Sequence, residues 1–155
     1  MTERTFEVRE IATVSSPRDV AIDDDWGAVE SLITLVDDYP GEALAGLDEF
    51  SHLEVIFLFD RVDPGTVTTG ARVPRNNPVW PAVGIFAQRA RNRPNRLGLC
   101  TCEVVAVDDR TIRVRGLDAI DGTPVLDLKP YLAEFAPRRA TTQPAWSHEL
   151  MAEYF

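Results

Sequence analysis

A chain of 155 residues is enough for one ordinary domain and too short for two comfortable ones. With 45% apolar and 26% charged residues it is neither disordered nor low in complexity, and no apolar run approaches the ~18 residues that a membrane span needs. Its formal net charge of −9 opposes binding to bulk nucleic acid, because phosphate contact needs cations. The opening MTERTFEVREI lacks the apolar core of a secretory signal. Two cysteines, Cys100 and Cys102, cannot form a disulfide framework, so a reducing cytoplasm is the expected location.

The dominant hydrophobic period is two, which predicts strands. Phe6 and Val8 alternate with charged residues, and Ile11 and Val14 continue the pattern across a bulge. Asp23 to Gly27 is polar punctuation before a second strand, in which Val29, Ser31, Ile33 and Leu35 share one face. Residues 39–50 read as a turn with short helical pieces, Leu44 and Leu47 being three apart. Leu53 to Phe59 is almost continuously apolar, which predicts a central strand covered on both faces. Residues 63–81 carry Pro64, Gly65, Gly70, Pro74, Pro78 and Pro81 without periodicity, so this long loop is expected to be functional or mobile.

Short strands are expected at 83–87 and 99–107, then a hairpin turn at Asp108-Asp109-Arg110 into 111–117, and a last strand at 125–128. After a linker-like stretch from Pro137, Trp146, Leu150 and Tyr154 stand four apart on one face of a helix that begins after Pro144. The fold class is therefore mostly β: a small antiparallel β-barrel, or a sandwich, with short helical turns and a C-terminal helix. Connections this short leave no room for the helical crossovers of a doubly wound sheet.

No dinucleotide fingerprint, P-loop, nucleophile elbow or zinc-protease motif is present. His52 heads a buried strand and reads as structural, and His148 lies on the last helix. Cys100 and Cys102 would share one face of a strand as small core residues. Two histidines and a Cys-x-Cys make no metal site. Positive charge is concentrated: Arg89, Arg91, Arg93 and Arg96 fall in one segment, with Arg72 and Arg75 shortly before it, and Lys129 is the only lysine among 16 basic residues. Such a patch on an acidic protein can hold an anionic ligand or one RNA loop, and it is equally compatible with a solvated basic loop.

Three segments carry a family resemblance. Gly84 to Leu99 (GIFAQRARNRPNRLGL) resembles the pattern GVFATRSPHRPNPIGL. Leu117 to Tyr131 (LDAIDGTPVLDLKPY) resembles LDLLDGTPVLDIKPY, and Gly46 to Leu53 (GLDEFSHL) resembles GLEGFSHL. Together they resemble the TrmO family, which methylates N6 of threonylcarbamoyladenosine at tRNA position 37 with S-adenosylmethionine.

The resemblance implies a β-barrel methyltransferase that acts as a homodimer, with no membrane and no metal. Residues 1–136 would be the donor-binding barrel, and residues 137–155 a linker and helix packed on the barrel or on a partner subunit. It implies a cofactor neighbourhood of Asp25, Trp26, Gly27, Phe59, Asp60, Arg61, Phe86, Arg89, Leu99, Asp118, Asp121, Gly122, Thr123 and Pro124. Arg91, Asn92, Arg93 and Asn95 become substrate-binding candidates, and Asp127, Lys129 and Tyr131 become catalytic candidates near the acceptor. Asp127 and Lys129 could equally form a buried ion pair.

The chain departs from the pattern at Glu54, Asp60, Gln88, Ala90, Arg91, Asn92, Arg96 and Cys100, so the cofactor half is kept better than the acceptor half. The acceptor is therefore either the tRNA anticodon loop or a small metabolite with an amine or imidazole nitrogen. A non-catalytic module that binds the cofactor is the third reading.

Overall fold

Side chains that alternate between an enclosed and an outer face build this molecule. In the computed structural model, which describes residues 1–155, the strands are β1 (Ala12–Ser15), β2 (Glu30–Leu35), β3 (His52–Leu58), β4 (Ala71–Arg72), β5 (Val83–Gly84), β6 (Leu97–Asp108), β7 (Thr111–Arg115) and β8 (Pro124–Pro130). Six of them close into an antiparallel barrel in the order β1-β2-β7-β6-β3-β8. The ring is sealed by the pairs Ala12↔Val125 and Thr13↔Pro124, which leaves no free edge. β4 and β5 form a separate two-stranded ribbon. No helix is long and apolar enough to cross a membrane.

The core is the inner surface of that ring. Ile33 faces Ile112, Val55 faces Cys100, Leu53 faces Cys102 and Phe57 faces Val125, all of them buried. Both cysteines are thus core residues, as the period-two spacing predicts. Gly98 is paired with Phe57, and a Cβ built on it would stand 2.4 Å from the phenyl ring. The glycine is there because the ring needs the space. Outside the core, Arg115 bridges Glu30 and Glu103 across three strands, a solvent-facing tie of small energetic weight.

The two rims differ. At one, the β6–β7 hairpin turns through Asp109 (φ 46), and Leu44, on the 3-10 turn Gly41–Leu44, plugs the core. At the other, β1, β3 and β7 end while β2, β6 and β8 begin, so the connections 16–29, 59–96 and 116–123 all emerge together. Leu117 and Ala119 fold inward there and close the core from above.

Several expectations need correction. The first strand begins at Ala12, not near Phe6; Phe6 and Val8 are exposed, because the barrel closes at Ala12 and leaves them no sheet to pair with. The outer face of β3 is only half-buried, since a barrel encloses one side of each strand. The 83–87 strand stops at Gly84, where a 3-10 turn carries Ile85 into the interior. His52, expected in a structural hydrogen-bonding role, heads β3 on its exposed end with its Nδ1 2.8 Å from the Ser51 hydroxyl. The single α-helix, α1 (Ala145–Met151), follows Pro144 as expected but stops before Tyr154.

Replacing Gly98 by alanine forces a methyl into the Phe57 ring. Denaturant unfolding should show a loss of about 1–3 kcal/mol, the usual cost of overpacking. Phe57→Leu in the same chain should recover part of it.

Candidate active site

The rim loops are knitted together by arginines that donate to backbone carbonyls. In the β1–β2 loop, the Arg18 guanidinium lies 4.6 Å over the Trp26 ring and donates to the carbonyls of Asp24 (2.7 Å) and Asp25 (2.6 Å). The Trp26 indole donates to the Ile22 carbonyl at 3.0 Å. Arg75 forks onto the Asp24 carboxylate at 2.8 and 3.2 Å, which ties the long 59–96 connection to this loop. Asp25 takes a left-handed φ of 63, a conformation that aspartate tolerates better than most residues.

Arg61 organises the β7–β8 loop. It donates to the carbonyls of Asp121 (2.8 Å) and Asp19 (2.9 Å), while the Asp121 carboxylate accepts from the Ser16 amide at 3.0 Å. Gly122 turns at φ 80 so that its amide reaches the Val14 carbonyl at 2.8 Å. Thr123 is buried and its hydroxyl donates to the Ile120 carbonyl at 2.7 Å, just before Pro124 opens β8.

Asp118, in the β7–β8 loop, faces the chain's Tyr154. Its Oδ2 accepts a 2.5 Å hydrogen bond from the Tyr154 hydroxyl, while Oδ1 is buried with no partner. Burial first, then the Asp118 charge, pushes the Tyr154 phenol well above its ordinary range, so it stays a donor. Arg89 is close enough to act in the opposite sense on the same phenol, and its guanidinium also donates to the Leu99 carbonyl. The amides of Asp25 and Trp26 donate to the carbonyls of Glu153 and Tyr154, each at 2.8 Å. Gly27 packs against the Phe155 backbone. Asp25, Trp26, Gly27, Arg89, Leu99 and Asp118 therefore gather in one neighbourhood, with Arg61, Asp121, Gly122, Thr123 and Pro124 in the adjoining loop.

Other candidates stand differently. Phe59 packs edge-on to Phe57 at 5.2 Å and supports the core, Asp60 is exposed, and Phe86 is 76% exposed. Of the acceptor-side candidates, Arg93 donates to the Gln88 carbonyl at 2.6 Å and Asn92 to the Thr66 hydroxyl at 2.8 Å. Arg91 and Asn95 lie toward solvent. Arg96, where the TrmO pattern has proline, adopts a left-handed φ of 51 that proline cannot take, and it donates to the Val62 carbonyl at 2.8 Å.

The three catalytic candidates are not at the rim. Asp127 and Lys129 lie on the outer face of β8, opposite Ile56 and Glu54, and Tyr131 follows the strand at the far end, where its amide reaches the His52 carbonyl. Asp127 and Lys129 do form an ion pair (2.7 Å), but an exposed one, because alternation turns both side chains outward. The Asp127 carboxylate raises the Lys129 pKa. An open hollow of about 550 Å³, lined by Leu32, Thr34, Asp37, Arg110 and Arg113 among others, lies at the hairpin end, away from this site.

Sequence reasoning missed three contributors. Arg18 carries no motif, and Gln88 stands out only as a departure from the family pattern; it is buried and its amide donates to the carbonyls of Arg72 (2.8 Å) and Val83 (2.9 Å). Tyr154 is visible in the sequence only as part of an apolar helical face.

Residues 13–136, the span that holds this rim, match the tRNA-methyltransferase O N-terminal domain. The chain belongs to this family. A Mus musculus protein named tRNA (adenine(37)-N6)-methyltransferase is 32% identical over 142 residues, covering 92% of this chain and 32% of that protein. A Methanothermobacter thermautotrophicus protein named probable S-adenosyl-L-methionine-binding protein is 36% identical over 138 residues, covering 84% of this chain and 93% of the relative. A crystal structure of TrmO from Pseudomonas aeruginosa superposes with a TM-score of 0.71 at 26% identity, covering 92% of this chain and 62% of that one. The chain spans about a third or less of the length of the mammalian relatives it matches. The barrel described above is the TrmO barrel, and the family span contains both rim motifs and β1 to β8 except Ala12.

The site's burial has a measurable consequence. Desolvation, reinforced by Asp118, pushes the Cys102 thiol up to about 12 from 9.0 and the Cys100 thiol higher still. Both thiols should resist alkylation in the native protein at pH 8 and react fully in denaturant. Because unfolded thiols ionise near their ordinary value while the folded ones keep their protons, stability should fall as pH rises beyond about 9. Urea titrations at pH 8 and pH 10 check this: the midpoint should fall between the two pH values in the parent and fall clearly less in a Cys100→Ser/Cys102→Ser variant, where the buried Tyr154 phenol remains.

Proposed function

We propose that the rim binds S-adenosylmethionine and directs its methyl group to N6 of threonylcarbamoyladenosine at position 37 of tRNA. The observation that carries this reading is the convergence of Asp118, Arg89 and the Asp25–Gly27 backbone at one rim, within the span that matches the family. The relatives named as adenine-37 methyltransferases and as S-adenosylmethionine-binding proteins support it.

The residues fit the donor. The unpartnered Oδ1 of Asp118 is a buried acceptor that an ammonium group would satisfy. Arg89 has guanidinium donors beyond the one given to Leu99 and suits a carboxylate. The amides of Asp25 and Trp26 form a hydrogen-bonding edge for a flat heterocycle, and Gly122 keeps the neighbouring loop free of a side chain. When bound, the cofactor supplies an electrophilic methyl on a sulfonium. The chain's own task is positioning: Arg61 and Arg18 fix the two loops, so that an acceptor nitrogen can be held in line with the transferring methyl.

On the acceptor side, Arg91 is exposed and forms no ion pair, so it is free to meet phosphate despite the net charge of −9. Arg93 and Asn92 shape the loop that carries it. A tRNA acceptor is favoured over a small metabolite because several relatives are named as tRNA (adenine(37)-N6)-methyltransferases and none is named for a small-molecule acceptor among those compared. Asp127, Lys129 and Tyr131 act in this reading only if a second copy brings them to a rim. A homodimer is part of the proposal, supported by the outward leucines Leu97 and Leu99, 42% and 44% exposed on β6. So is a cytoplasmic location, supported by two free thiols, Cys100 and Cys102, that pair with nothing.

Incubation with methyl-labelled donor and tRNA should place label in tRNA that carries the threonylcarbamoyl group, and not in tRNA lacking it. Label found only in small molecules would reverse the choice of acceptor. Arg89→Ala should weaken donor binding by about tenfold, read by calorimetry, in line with removal of one charge-assisted hydrogen bond. Arg91→Ala should leave donor affinity intact and flatten the salt dependence of tRNA binding by about 0.7–0.9 for each phosphate that it no longer neutralises.

A further inference from the structure

We infer that residues 153–155 are a built-in competitor for the methyl donor, a segment of the chain that occupies the donor's place until the donor displaces it. This rests on the reading of the rim given above.

Three polar groups assigned to the donor are each taken by this short segment. The Asp25 amide donates to the Glu153 carbonyl, the Trp26 amide to the Tyr154 carbonyl, and the Asp118 carboxylate accepts from the Tyr154 hydroxyl. The segment also lies hard against the β1–β2 loop at Gly27. A Cβ built on Gly27 would stand 2.6 Å from the Phe155 backbone, and the rings of Tyr154 and Phe155 meet edge to face at 4.8 Å in the same space. The segment thus offers flat rings, a hydrogen-bonding edge and a donor to Asp118, the contact types that an adenosine with an attached ammonium group would offer.

Two features mark it as a plug rather than part of the wall. The first is its satisfaction of the site, which is incomplete. Tyr154 has one proton to give, so Asp118 Oδ1 stays buried and unpartnered, whereas an ammonium group has three donors. The site is built for more hydrogen bonds than the plug supplies.

The second is its attachment. β8 ends at the opposite rim, so the chain must travel back along the barrel to reach Asp118. That return path is almost entirely exposed from Leu132 to Ala145, and α1 buries no residue completely. Its side-chain tie to the rest of the molecule is the exposed Trp80–Glu149 hydrogen bond of 2.8 Å. Segments held by few buried contacts open locally at low cost.

A donor that needs the open state has its affinity reduced by the open fraction. Calorimetric titration of S-adenosylmethionine into the 155-residue chain, Tyr154→Phe and Tyr154→Ala/Phe155→Ala tests this. Both variants should bind about fivefold or more tightly than the parent, with the double variant the tighter. The phenylalanine variant keeps the ring and serves if the double variant does not fold. In the parent, adding donor should speed amide hydrogen exchange at residues 153–155. Equal or weaker binding by the variants, or slower exchange at residues 153–155 on donor addition, overturns the plug and makes the segment a wall of the site. If neither the parent nor either variant binds donor, the reading of the rim fails first, and the plug falls with it.

Discussion

Closure of the strand ring is the constraint on which everything else hangs. Once Ala12 meets Val125, each strand has one enclosed face and one outer face, and the six barrel strands need alternate in only one sense. Closure also decides where chemistry can be built. Six antiparallel strands deliver the connections 16–29, 59–96 and 116–123 to the same rim and leave the other to a tight hairpin, the Leu44 plug and the exit of β8. Which connections share a rim is a property of the ring, and the candidate site is its consequence.

The arginines illustrate how composition can mislead about role. An arginine-rich segment on an acidic chain suggests an anion-binding surface. Three of the four guanidiniums between Arg89 and Arg96 are instead spent on carbonyls, Arg89 on Leu99, Arg93 on Gln88 and Arg96 on Val62, as are Arg61 and Arg18 elsewhere on the rim. Long irregular connections carry many backbone acceptors that no strand satisfies, and a planar fork with several donors meets that need well. Arg91 is the member of the cluster left to solvent.

Much of the fold was legible because alternation and turn chemistry are local. β2, the β6–β7 hairpin, the buried pair Cys100 and Cys102 and the helix after Pro144 all follow from short-range pattern. The failures are non-local. Phe6 and Val8 alternate properly but have no partner strand, and nothing near them in the chain says so. The continuous apolar run of β3 reads as two-sided burial because sequence does not distinguish a covered face from a half-covered one. At the site, residues 25–27, 89, 99 and 118–124 lie at one rim, whereas Phe59 packs on the core and Asp60 and Phe86 face solvent. The arrival of Tyr154 at Asp118 depends on 36 residues of separation and on a path along the outer wall, which no local pattern encodes.

The lone lysine has a practical bearing. Lys129 sits on the outer face of β8, far along the strand from the loops of the candidate site, with its ammonium held as the conjugate acid by Asp127. Apart from the chain's amino terminus, amine-directed tags, surface coupling or fluorophores will find a single, sluggish side chain, remote from the rim. With that terminus blocked, immobilisation chemistry can orient every molecule the same way, and guanidinium-selective reagents become the natural choice for mapping whatever the rim engages.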